Sequence, residues 1–198
     1  MINTIIFDLG EVYINGLKGV EYLLEKELGI RAEEIYPHTQ GPDLIAFFYG
    51  EITEVEYWKR VISKTGWKIS VERLKELVRL NFTEVDGTED IIKSLKKRGY
   101  RLGLLSDHGK EWIEHCKDKF GFHKLFHSTL FSFEIAMIKV QKKGFKILID
   151  KMNVLPENCL FIDDNPKNLV PAKEIGMRTI LFNDVKKLEK ELKDINLL

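Results

Sequence analysis

Five residues could do chemistry together if the fold brings them to one place: Asp8, Ser106, Lys139, Asp163 and Asp164. Asp8 ends the apolar run Thr4-Ile5-Ile6-Phe7 and is followed at once by Leu9-Gly10. A carboxylate at the end of a buried strand is costly unless a cation or hydrogen bonds receive it. Asp163-Asp164 follows Cys159-Leu160-Phe161-Ile162 in the same way, and Ser106 ends Arg101–Leu105. Lys139 stands just before a helical pattern. Clustered carboxylates repel one another, and Mg²⁺ answers that repulsion because it prefers oxygen ligands. A hydroxyl and an ammonium group beside them suit a phosphoryl group, whose oxygens need donors and positive charge. A carboxylate can itself attack phosphorus and form an acyl phosphate. Singly, each residue also fits a bland role, such as helix cap, surface lysine or Asx turn. Only a shared placement at strand ends separates the two readings.

The elements that must position these residues can be read from hydrophobic period and turn signals. Short apolar runs bounded by turn residues read as buried strands, here Thr4–Phe7, Arg101–Ser106, Thr129–Phe131, Cys159–Ile162 and Arg178–Phe182. Helical spacing fills the intervals at 86–98, 110–120, 142–152 and 185–192. Asn165-Pro166 reads as a cap and first turn, with Pro171 requiring a kink or a helix that begins only near Asn168. Strands alternating with helices predict an α/β core, a Rossmann-like mainly parallel sheet flanked by helices. In such sheets ligands sit at the carboxyl ends of the strands. Residues 16–83 hold no convincing strand. They carry helical patterns at 19–28 and 44–48, a helix opened by the capping box Thr53-x-x-Glu56, and another capped by Ser70. The expected organisation is therefore a core of residues 1–15 and 84–198, with a small all-helical cap at 16–83. The aromatic group Phe47, Phe48, Tyr49, Tyr57 and Trp58 is expected to form the cap's own core.

Composition excludes other classes. Lys+Arg and Asp+Glu are equal at 31 each, so no global field favours nucleic acid or an anionic membrane. Two separated cysteines, Cys116 and Cys159, argue against a zinc site or a disulfide scaffold and fit a reducing, cytoplasmic setting. No apolar run approaches the roughly 20 residues of a membrane span, and the N-terminus reads as a strand rather than a signal peptide. His38, His115, His123 and His127 show no ligand spacing and are expected to be structural or surface residues, whereas His108 lies beside the candidate site. Oligomeric state is open at this level.

The same residues carry a family resemblance covering nearly the whole chain. It resembles the haloacid dehalogenase-like (HAD) hydrolases, in the phosphatase-type branch whose helical cap is inserted after the first strand. Phe7-Asp8-Leu9-Gly10-Glu11-Val12 resembles the first motif, which implies that Asp8 is a nucleophile. Leu104-Leu105-Ser106-Asp107 resembles the second, with Ser106 holding phosphoryl oxygens. Lys139 matches the third-motif lysine, and Phe161-Ile162-Asp163-Asp164-Asn165 the fourth, whose acids hold Mg²⁺. The resemblance implies a Mg²⁺-dependent phosphomonoester hydrolase acting on a small phosphorylated metabolite through an aspartyl phosphate. Asp8, Gly10, Asp163 and Asp164 would be at the metal, and Ser106, Asp107, His108 and Lys139 at the substrate.

Three positions depart from the pattern. The family's phosphatases carry an aspartate two residues after the nucleophile, whose carbonyl meets the metal and whose side chain protonates the leaving group. Gly10 keeps that carbonyl and loses the acid. Glu11 is expected to point elsewhere, because adjacent residues tend to face different ways. Asp107 stands where asparagine is frequent and needs Mg²⁺, His108 or Lys139 to offset its charge. Val140 replaces a usual proline after Lys139. Gly10 therefore keeps a second class open, a phosphate- and metal-binding or regulatory protein with little turnover. A haloacid dehalogenase is disfavoured by the paired Asp163-Asp164, which suit a metal that halide displacement does not require.

Overall fold

The computed structural model describes residues 1–198. In chain order, β1 (Thr4–Phe7) and the two-residue β2 (Ile14–Asn15) lead into α1 (Val20–Leu28), α2 (Ala32–Ile35), α3 (Pro42–Phe48), α4 (Glu54–Thr65) and α5 (Val71–Asn81). The chain then passes through β3 (Thr83–Glu84), α6 (Thr88–Lys97), β4 (Arg101–Ser106), α7 (Lys110–Phe120), β5 (Ser128–Phe131) and α8 (Ser132–Ile135). It closes with α9 (Lys142–Met152), β6 (Cys159–Asp163), α10 (Pro166–Glu174), β7 (Arg178–Leu181) and α11 (Val185–Asp194).

The five long strands form one parallel sheet in the order β5-β4-β1-β6-β7. β1 lies in the middle, paired with β4 through Phe7 and Leu104 and with β6 through Phe7 and Ile162. The expected α/β, Rossmann-like fold is therefore present. Side chains alternate across a strand, and β1 shows the consequence. Ile5 and Phe7 join a core of 38 buried residues that includes α6, α7 and α11, while Ile6 joins a smaller one under α9 and α10. Burial on both faces is what makes the central strands β4, β1 and β6 nearly continuously apolar, whereas the edge strands β5 and β7 carry polar residues.

The five helices α1–α5 lie between β2 and β3, which pair antiparallel through Ile14 with Glu84 and Asn15 with Thr83. This two-residue ladder clamps the points where the helical segment leaves and rejoins the sheet domain. Both expected caps form: Thr53 and Glu56 make the reciprocal capping box, and Ser70 Oγ accepts the Arg73 N–H at 3.1 Å. The larger hydrophobic core runs without interruption from the sheet into these helices through Phe47, Tyr57, Trp58 and Trp112. One polar tie accompanies it. The buried Glu54 of α4 receives the Arg79 guanidinium from α5 and the Trp112 indole N–H from α7 at 2.7 Å. Pro171 lies inside α10, which begins at Pro166 rather than near Asn168.

Candidate active site

The carboxyl edge of the sheet gathers the residues singled out above. Asp8 follows β1, Ser106 ends β4, Asp163 ends β6, and Lys139 comes from the loop between α8 and α9. The Lys139 ammonium bridges two of them, 2.6 Å from Asp8 Oδ2 and 2.7 Å from Asp163 Oδ2. All three side chains are almost wholly removed from solvent. Asp8 Oδ1 accepts the Leu9 N–H at 2.6 Å, so one carboxylate oxygen is held by backbone and the other by Lys139. Carboxylate oxygens of Asp8, Asp163 and Asp164 lie within 4.8 Å of one another.

Each acid is held differently. Asp163 is saturated by protein donors: Asn165 N–H at 2.8 Å, Asn168 Nδ2 at 3.1 Å and Lys139. Asp164 faces the cavity and meets only Lys18 Nζ, at 2.5 Å, from the start of the helical segment. Asp107 accepts the Lys139 backbone N–H through both oxygens at 3.0–3.1 Å, anchoring the lysine loop that has Val140 in place of proline. Asp107 thus acts on Lys139 through its main chain, and its charge is offset by the nearby ammonium.

The electrostatics follow from burial and crowding. Burial raises the Asp8 carboxyl well above the usual range, with Asp163 and Asp164 adding to the rise and Lys139 opposing it. Burial pushes the Asp107 carboxyl up to about 6 against the pull of Lys139. Burial alone would lower the Lys139 ammonium, but Asp8, Asp163 and Asp107 hold it well above its ordinary value. Burial and then Lys139 drive the His108 imidazolium down to about 3, so the ring is neutral.

A cavity of about 730 Å³ opens onto this cluster. Its floor includes Asp8, Gly10, Asp107, His108, Lys139 and Asp164, and α3 with the turn before it contributes Gln40, Leu44, Ile45 and Phe48. Phe48 therefore departs from the expectation of a purely internal aromatic cluster. Phe47, Tyr57 and Trp58 are fully buried, but Phe48 reaches the cavity and packs on His108 with ring centroids 5.8 Å apart. Glu11 also departs from expectation. Its φ of 59° turns the carboxylate into the same cavity, where it accepts the Gly16 N–H at 2.9 Å and the Lys18 N–H at 3.3 Å. Ser106 does not open into the cavity; it is fully buried, with Oγ 2.7 Å from His108 Nδ1. The other four histidines lie off the cavity wall.

Sequence reasoning missed Lys18, Asn168 and the turn of Glu11. Asn168 carries a faint signal, five residues beyond Asp163 on the first turn of a helix, whereas Lys18 looks like any surface lysine. The donor set suits a hard cation. Two ammonium groups, Lys139 and Lys18, face five carboxylates, those of Asp8, Glu11, Asp107, Asp163 and Asp164, and the candidate ligands are all oxygen atoms.

The family model for haloacid dehalogenase-like hydrolases matches residues 2–176. D-ribitol-5-phosphate phosphatase of Bacteroides thetaiotaomicron is 25% identical over 190 residues, covering 90% of this chain and 91% of that protein. Flavin mononucleotide hydrolase 1 of Arabidopsis thaliana is 26% identical over 132 residues, 67% of this chain, and the chain spans about half of its length (54%). Among solved structures, a HAD family enzyme of Bacteroides thetaiotaomicron in complex with magnesium and inorganic phosphate superimposes with a TM-score of 0.78 at 23% identity, covering 93% of this chain and 96% of that one.

Proposed function

The chain belongs to the haloacid dehalogenase-like hydrolase family, and from that premise we propose that it is a Mg²⁺-dependent phosphomonoesterase of small phosphorylated metabolites. The observation that carries this reading is the Lys139 ammonium bridging Asp8 and Asp163 within a carboxylate cluster on an open cavity. Asp8 is the nucleophile. Its Oδ1 is fixed by the Leu9 N–H, which leaves Oδ2, beside Lys139, to attack phosphorus in line with the leaving oxygen. Lys139 offsets the charge that develops on the phosphoryl oxygens. Water then hydrolyses the aspartyl phosphate and frees Asp8.

Asp8, the Gly10 carbonyl and Asp164 would hold Mg²⁺. Asp163 would support the site from behind, because its oxygens are already taken by Asn165, Asn168 and Lys139. When bound there, the ion supplies positive charge to the phosphoryl group. The phosphatase relative and the fold neighbour holding magnesium and phosphate support this assignment. Residues 16–83 serve as the cap. Leu44, Ile45 and Phe48 give the cavity an apolar side that excludes water and selects the organic part of the substrate, with lid motion able to limit turnover.

The test is hydrolysis of p-nitrophenyl phosphate and a panel of sugar and polyol phosphates, with and without Mg²⁺, using Asp8→Asn as control. Turnover should require both the metal and Asp8. Metal-independent turnover, or turnover surviving in Asp8→Asn, overturns the mechanism. Silence across the whole panel favours the binding reading that Gly10 keeps open.

A further inference from the structure

We propose that His108 occupies the place of the missing residue-10 side chain and acts there as a hydrogen-bond donor, presenting Nε2–H to the leaving oxygen of the substrate. The inference rests on the phosphomonoesterase reading. A Cβ built on Gly10 would lie 2.9 Å from His108 Cε1 and 3.3 Å from Nε2, so the imidazole already fills the space in which a side chain at position 10 would start. His108 lines the cavity together with Asp8 and Gly10, and its Nε2 has no hydrogen-bond partner within the protein. The ring is held at two places and the backbone of the same residue at a third. Nδ1 is 2.7 Å from Ser106 Oγ, Phe48 packs on one face, and Ser132 Oγ bonds the His108 backbone N–H at 3.2 Å and carbonyl at 3.3 Å.

The Ser106 bond also fixes the tautomer. Ser106 is fully buried and Nδ1 is its only hydrogen-bond partner. Were Nδ1 to carry the proton, the Ser106 hydroxyl would be a buried donor with no acceptor, which is unfavourable. The hydroxyl therefore donates to Nδ1, and the neutral ring bears its proton on Nε2. This also explains why a serine expected to touch phosphate is turned inward.

His108 keeps its proton throughout. Asp8 attacks, the P–O bond to the leaving group breaks, and the alkoxide forms against Nε2–H and takes its proton from water, producing hydroxide. Hydroxide then attacks the phosphorus of the aspartyl phosphate, releasing phosphate and the Asp8 carboxylate. Atoms and charge balance as hydrolysis of one ester by one water.

A hydrogen bond to the leaving oxygen matters most when that oxygen is a poor leaving group, which gives a readout that a packing role would not move. His108→Ala should lower kcat about 10²-fold on the alkyl phosphate that the wild type hydrolyses best, and far less on p-nitrophenyl phosphate. Gly10→Asp alone should gain nothing and lower Tm, since the ring occupies the space. Gly10→Asp combined with His108→Ala should regain alkyl turnover over His108→Ala. If His108→Ala loses its native circular dichroism spectrum, His108→Phe, which keeps a ring in that space but has no donor, carries the same comparison. Equal losses on both substrates, or no loss, overturn the proposal while leaving the phosphatase reading intact. A selective loss in Glu11→Gln with His108→Ala unaffected would move the role to Glu11. A wild type silent on both substrates overturns the phosphatase reading and this inference together.

Discussion

Lys139→Met is the sharpest perturbation of the charge cluster. Methionine keeps most of the volume but removes the ammonium that lies 2.6 Å from Asp8 and 2.7 Å from Asp163. Both carboxylates are buried, so neither can recover full hydration, and Asp163 keeps only the neutral donors Asn165 and Asn168. Removing one partner of a buried ion pair costs about 3–5 kcal/mol, because the uncompensated charge remains inside. For a chain of this size each kcal/mol shifts Tm by about 2–4 °C, which places the expected fall at about 6–20 °C. The measurement is urea and thermal unfolding at neutral pH in EDTA, followed by the same series with Mg²⁺. A cation that binds only the folded state restores stability by mass action, about 2.7 kcal/mol at a hundredfold excess over Kd. The variant should therefore regain more from Mg²⁺ than the wild type does. An unfolding midpoint in EDTA equal to that of the wild type would refute the reasoning, since it would mean that Lys139 does not offset these charges.

Three further outcomes are expected. The Asp107 carboxyl is raised from 3.8 to about 6, so the folded protein keeps a proton that the unfolded chain has lost, and this contribution to stability falls as pH rises through that window. Asp107→Asn has no such ionisation, and its stability relative to wild type should improve by about 1–3 kcal/mol between about pH 4 and pH 7; a pH-independent difference contradicts the assignment. Gly109→Ala should destabilise by at least the upper part of the roughly 1–3 kcal/mol range for overpacking, because the new Cβ would lie 1.8 Å from Phe47 Cζ in a fully buried aromatic cluster. Urea unfolding within 0.5 kcal/mol (about the scatter of neutral surface changes) would contradict it. Lys18→Ala should tighten Mg²⁺ binding by up to about 5-fold in a calorimetric titration, because the half-exposed Lys18–Asp164 pair competes weakly for a candidate ligand. Weaker binding would show that Lys18 supports the site instead.

The sheet was legible because its central strands β4, β1 and β6 are buried on both faces and therefore nearly apolar throughout, and each runs into a serine or a carboxylate. The rim residues were legible for the related reason that Asp8 and Asp163 break such runs with a charge. What stayed hidden depends on contacts remote in sequence. The β2–β3 ladder is two residues long on each side and has no period to detect. Lys18 reaches Asp164 across 146 positions. Phe47 and Phe48 are neighbours that project about 100° apart on one helix, and only the docking of α3 on Gly109 and His108 decides which enters the core and which the cavity. The absence of a side chain at Gly10 was plain in the sequence. That an imidazole from the loop after β4 fills the space was not, because nothing local links the two positions.

The central claim is that Asp8 is phosphorylated during turnover. Acid-quenched protein, mixed with p-nitrophenyl phosphate and Mg²⁺ and digested for mass spectrometry, should carry one phosphoryl group on the peptide containing Asp8. That adduct should vanish, along with phosphate release, in Asp8→Asn. Phosphate release that continues undiminished in Asp8→Asn, with no adduct on that peptide in the wild type, would contradict the account.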